Sequence, residues 1–141
     1  MGTITKVVLD TNIFISGIGW NGKPEEVLKH IKDQQIINYA STEIFEEIRW
    51  VVLYSKLRFP EPLQIKILEF VLFYSEFVEP QERILVVTED PDDNKFLECA
   101  IEAKAEYIIS GDPHLINIRK FRTVKVVDVN EFLDILSKKH F

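Results

Sequence analysis

Val7-Val8-Leu9-Asp10-Thr11-Asn12 carries an apolar, β-branched run straight into an acid, a hydroxyl and an amide. Open α/β sheets bind ligands just beyond the carboxyl ends of their parallel strands, so an acid at such a tip marks a candidate site. Near the other end of the chain, Tyr107-Ile108-Ile109-Ser110 runs into Gly111-Asp112, a second strand tip bearing a hydroxyl and an acid. Two acidic tips point to one site on one sheet edge.

Working outward from Leu9, strand-like and helix-like blocks alternate. Ile4–Leu9 reads as a strand, followed by a Gly-containing loop through Gly17-Ile18-Gly19-Trp20-Asn21-Gly22. Pro24 suits the first turn of a helix running to about Lys32, and Ile36–Ala40 is a second short strand. Ser41 or Thr42 caps a helix through about Leu53, and Pro60 and Pro62 introduce another from Leu63 to about Phe77. Ile84–Val87 is a short strand or extended loop, and Asp90-Pro91-Asp92-Asp93 opens a helix to about Lys104. Glu106–Ser110 and Val124–Val127 are strands, and a last helix covers Asn130 to about Lys138. This order predicts βαβ units within a single domain over residues 1–141. The fold expected is three-layer α/β/α around a central, mostly parallel sheet of four to five strands.

Composition agrees with a compact domain: 46% of the residues are hydrophobic, with ten Phe to fill a core in 141 residues. The net charge is −6, from 23 acids against 17 basic residues, so the surface as a whole repels a polyanion. That argues against a simple electrostatic nucleic-acid binder. It leaves open an enzyme whose acids are neutralised by bound divalent cations. Cys99 is the one cysteine, which excludes an internal disulfide framework and a cysteine zinc cluster; among Phe96, Ala100 and Ile101 it reads as packing. Neither a leader-like N-terminus nor an apolar run of ~18 residues is found, so no membrane association is expected and the default location is cytoplasmic.

Helix faces sort the remaining acids. At ~100° per residue, Glu43 and Glu46 point away from the apolar stripe Ile44, Phe45, Ile48, Val51 and Val52, while Glu47 lies at its border, aimed toward the sheet. In Asp90-Pro91-Asp92-Asp93, helix capping and the helix dipole account for an acidic start without any chemistry. They do not account for Asp93, which heads a core-facing stripe with Phe96, Leu97 and Ala100 and is costly to bury without a partner or a metal. Asp10, Glu47, Asp93 and Asp112 converging on one edge would repel strongly without a cation. Oxygen-only ligands suit Mg²⁺ or Mn²⁺, one or two ions, which activate water and stabilise charge on a phosphodiester oxygen.

Taken in order, these motifs resemble the PIN-domain family of ribonucleases: Val8-Leu9-Asp10-Thr11-Asn12 with Ser16, Ser41 followed by Glu47 and Leu53, Asp90-Pro91-Asp92-Asp93 followed by Phe96-Leu97 and Ala100, and Ser110-Gly111-Asp112-Pro113-His114-Leu115. The resemblance implies a metal-dependent endoribonuclease cleaving single-stranded RNA, with metal-site and catalytic acids at Asp10, Glu47, Asp93 and Asp112. Asn12 and Ser110 match the family's supporting polar positions, and Thr11 joins them as a group that fixes carboxylate rotamers. The single-domain form is similar to VapC-like putative toxins, which implies a small antitoxin partner. An RNA-processing nuclease and a non-catalytic PIN-like interaction module are the alternatives. The helix from Leu63 to Phe77 is apolar nearly all round, which predicts a homodimer through that face. Arg119, Lys120, Arg122 and Lys125 form a basic cluster that could reach RNA phosphates, although a solvated loop and strand edge explains it better. An aspartyl-nucleophile phosphatase is disfavoured because Asn12 stands where a second acid is needed. A phosphate-binding glycine loop is missing after the first strand.

Overall fold

In the computed structural model, residues 4–20 and 22–139 are described; Asn21 of the expected loop, Met1–Thr3, His140 and Phe141 lie outside them. The strands are β1 (Thr5–Leu9), β2 (Ile36–Ala40), β3 (Ser75–Phe77), β4 (Tyr107–Ile109), β5 (Lys120–Phe121) and β6 (Val124–Val127). They form one six-stranded sheet in the order β3-β2-β1-β4-β6-β5, parallel except for β5. Helices flank it, so the α/β/α reading holds with six strands in place of four to five. The two extra strands are short edge pieces of three and two residues, too short to leave a periodic signature.

The helices are α1 (Thr11–Gly19), α2 (Lys23–Lys32), α3 (Thr42–Tyr54), α4 (Glu61–Tyr74), α5 (Asn94–Ala103), α6 (Pro113–Ile116) and α7 (Val129–Lys139). A 3₁₀ turn over Pro91–Asp93 precedes α5. The segment expected to be a loop after Leu9 is therefore helical to Gly19. Its β-branched residues and two glycines hide the helical signal, and Thr11, Ile13, Phe14, Ile15 and Gly17 are all buried. Gly17 has a packing reason: a Cβ there would stand 2.5 Å from Leu28 Cδ1 and 3.0 Å from the Pro24 carbonyl, so only glycine lets α2 approach this closely. The helix expected to reach Phe77 stops at Tyr74, and residues 75–77 pair with β2 instead.

Burial on both faces of the central strands explains the near-continuous apolar runs. Thr5, Val7, Val8 and Leu9 of β1 and all three residues of β4 are buried. From β1 the chain steps outward to β2 and β3 and then crosses back to β4 on the other side of β1, and this reversal opens a crevice at the carboxyl ends of β1 and β4. Cys99 is buried in the core as expected, where burial pushes its thiol up to about 12. Among the described residues, no helix is long and apolar enough to cross a membrane.

Candidate metal centre

The crevice holds the two strand-tip motifs. Asp10 follows β1 directly and its N–H donates to the Ile109 carbonyl at 3.0 Å, which carries the β1–β4 ladder to the last residue before the acid. Ser110, fully buried after β4, donates its hydroxyl to Asp10 Oδ2 at 2.8 Å and accepts the Asp112 N–H at 2.9 Å. One hydroxyl thus sets the rotamer of one acid and the backbone of the other. Asp112 Oδ1 accepts the His114 N–H at 2.9 Å, capping α6.

Asp93 enters from the 3₁₀ turn opening α5, a helix that lies against β1, β2 and β4. One carboxylate oxygen from each of Asp90, Asp93 and Asp112 lies within 4.8 Å of the others. Asp93 is buried, and its Oδ2 has no hydrogen-bond partner. Burial first, then the closeness of the Asp112 carboxylate and the charges of Asp90 and Asp10, push the Asp93 carboxyl up to about 8. The same shared contact holds Asp112 below the usual carboxylate range. Asp10 is raised by burial and by the charges of Glu47 and Asp112, against the opposing hydrogen bonds from Ser110 and the Asn12 N–H. Carboxylates this close need a shared proton or a cation. The residues fit a hard divalent cation: the donors are all oxygen, and a buried Asp93 oxygen is left free to bind one.

Of the acids expected from the sequence, Asp93 and Asp112 meet here, and Asp10 lines the same cleft beside them. Asp90, set aside as a helix cap, joins them; its side chain makes no cap hydrogen bond. The position of Asp90 depends on Asn94, which the sequence reading passed over. The buried Asn94 side chain accepts the N–H groups of Val86 and Val87 at 3.0 and 2.8 Å, and donates to the carbonyls of Val87 and Pro91 at 2.9 Å each. This clamp ties the irregular Ile84–Val87 segment and the loop carrying Asp90 to the start of α5. An amide one residue past an acidic helix start was the available signal.

Glu47 lines the same cleft but both of its oxygens are engaged. One accepts the Thr11 hydroxyl and the other the Lys95 ammonium, with Nζ 2.8 Å from Oε1. Asn12 lines the cleft beside them. The cleft has a volume of ≈ 800 Å³. Trp50, on its α3 side, is 61% exposed, and Leu85, on the clamped segment, is 83% exposed. Arg119, Lys120, Arg122 and Lys125 are elsewhere, on and around the β5–β6 hairpin; Arg122 pairs with Glu82. The cations that do line the cleft are Arg83 and Lys95.

Comparison with known proteins follows the same lines. Residues 6–114 match a family model described as the PIN domain. The chain is 39% identical over 134 residues to the uncharacterized protein MJ1680 of Methanocaldococcus jannaschii, covering 92% of this chain and 80% of that one. Its fold is similar to the crystal structure of PAE2754 from Pyrobaculum aerophilum, with a TM-score of 0.64 at 15% identity over 96% of this chain and 90% of the other. It is also similar to VapBC2 from Rickettsia felis bound to a DNA fragment from their promoter, with a TM-score of 0.62 at 14% identity over 88% and 98% of the two chains.

Proposed function

The chain belongs to the PIN-domain family, and on that premise we propose that it is a divalent-metal-dependent endoribonuclease that hydrolyses single-stranded RNA. The observation carrying this reading is the buried, unpartnered Asp93 oxygen within a group of three converging carboxylates. Asp90, Asp93 and Asp112, with Asp10 beside them, would hold one or two Mg²⁺ or Mn²⁺ ions. When bound, such ions lower the pKa of a coordinated water and offset charge on a phosphodiester oxygen. Ser110 holds Asp10 and the Asp112 backbone in register for that task, Asn94 holds Asp90, and Thr11 fixes the carboxylate of Glu47.

The likeness of fold to VapBC2 supports a role as the toxin of a VapBC-like pair, restrained by a small antitoxin. A homodimer through α4 fits its surface. That helix buries Ile67 and Val71 completely but leaves Ile65, Leu72 and Phe73 largely exposed. The test of the reading is a cleavage assay with purified protein on defined single-stranded RNAs in Mg²⁺ and Mn²⁺. Metal-dependent cleavage that Asp93→Asn removes is the expected result; no cleavage of any RNA with either ion would overturn it.

A further inference from the structure

Lys95 occupies an unusual place in a cleft lined by many acids. Its side chain is 12% exposed, and among the described residues its ammonium makes one hydrogen bond, to Glu47. An ammonium carries three donors, so two remain free inside the cleft. Arg83, the other cation of the cleft, is 84% exposed, with a 3.9 Å ion pair to Glu43 as its only salt bridge among the described residues. Lys95 is the cation that is held in place.

What holds it spans the site. Asp10 is followed by Thr11, whose hydroxyl bonds Glu47, whose other oxygen bonds Lys95, which stands two residues beyond Asp93. The circuit joins the β1 tip to the start of α5 across the cleft. In a largely buried ion pair the desolvation of both charges offsets much of their attraction, so stability alone does not explain a lysine fixed in this way. A fixed cation beside a metal centre matches a different need, which is to meet charge that grows during reaction without reorganising.

We infer that Lys95 contacts the scissile phosphate and that Glu47 is the positioning residue holding it there, an assignment that rests on the nuclease reading above. In the hydrolysis, a water oxygen bonds to phosphorus and releases a proton to solvent, the phosphorus–ester oxygen bond breaks, and the leaving oxygen takes a proton from solvent. Lys95 donates a hydrogen bond to a phosphate oxygen throughout and transfers no proton. Glu47 acts through Lys95, and its carboxylate is not required for metal binding.

The test uses the full chain, a single-stranded RNA oligonucleotide and Mn²⁺, with Mn²⁺ affinity read separately by calorimetry and folding by circular dichroism. Lys95→Met is expected to lower kcat by about 10²-fold, the usual loss for one preorganised donor. Mn²⁺ affinity should stay equal or tighten, because a cation next to the acids is gone. Lys95→Arg should recover at least part of the loss. Glu47→Gln should lower kcat by about tenfold, leave Mn²⁺ affinity within about threefold and add nothing to Lys95→Met, as expected of groups acting as one unit. Lys95→Met at wild-type kcat overturns the assignment and leaves the nuclease reading intact. So does Glu47→Gln weakening Mn²⁺ binding tenfold or more, which would give Glu47 to the metal. A wild-type protein that binds Mn²⁺ but cleaves no RNA overturns both.

Discussion

The two walls of the cleft carry acids of opposite character. On the α5 wall, Asp93 is buried with a free oxygen and negative neighbours, and its carboxyl is pushed up to about 8. On the α3 wall, Glu47 has a hydroxyl on one oxygen and an ammonium on the other. Type and position along a helix do not separate these two acids; their partners do. An acid left unsatisfied by its own chain is built for a ligand, whereas a satisfied one holds its neighbours in place.

The largest effect should appear in metal affinity. Asp93→Asn is expected to weaken Mn²⁺ binding by about 10–100-fold, in line with losses at metal sites, and Glu47→Gln to leave it nearly unchanged. Calorimetric titration of both variants checks this, and equal losses would erase the distinction between the walls. Asn94→Ala comes next, because it removes four hydrogen bonds to the main chain, two of them to N–H groups of the clamped segment. A loss of about 2–3 kcal/mol in denaturant unfolding is expected, together with weaker Mn²⁺ binding as Asp90 is released. Full Mn²⁺ affinity in a folded Asn94→Ala protein would show that Asp90 is dispensable.

The acid of the α5 wall should also give the pH dependence a definite direction. Asp93 has a folded pKa raised above its unfolded value, so the stability it contributes is complete below about pH 4 and lost as pH rises through about 8. Metal-free protein should therefore lose thermal stability between pH 5 and pH 8, by roughly 3 °C or more, and Asp93→Asn should flatten that slope. Asp112, held low, works the other way and matters only in acid, where its contribution is lost as it protonates. Thermal melts of metal-free wild type and Asp93→Asn across this range decide the point; parallel curves would contradict it. The smallest effect is expected away from both walls. Replacing the exposed Phe73 by Lys should shift sedimentation from dimer to monomer while changing cleavage by less than about threefold, since the helix contributes nothing to the cleft lining.

The contrast between the walls also explains what the sequence could disclose. Asp10 and Asp112 were legible because each ends an apolar strand run, and the order of strands places both tips at one edge. Asp93 was legible from helical periodicity, because Phe96, Leu97 and Ala100 share its face. Asp90 was not, since its position depends on the Asn94 clamp and capping already explained its residue type. The pairing of Glu47 with Lys95 joins residues 48 apart, and nothing local in either helix announces it. In the fold, α1 escaped notice because most of its residues are buried, Gly17 is fitted to Leu28, and Asn12 and Ser16 are too few to mark a polar face. The β3 and β5 pieces owe their structure to the neighbouring strands β2 and β6.

The central claim is that the converging acids hold a divalent ion for RNA hydrolysis, and single-turnover cleavage of one single-stranded RNA over a Mn²⁺ titration tests it most directly. Wild type should cleave only with the ion present, and Asp93→Asn should be slower by about 10³-fold or more at saturating RNA. Cleavage by Asp93→Asn at the wild-type rate, or equal cleavage with and without Mn²⁺, would contradict the account.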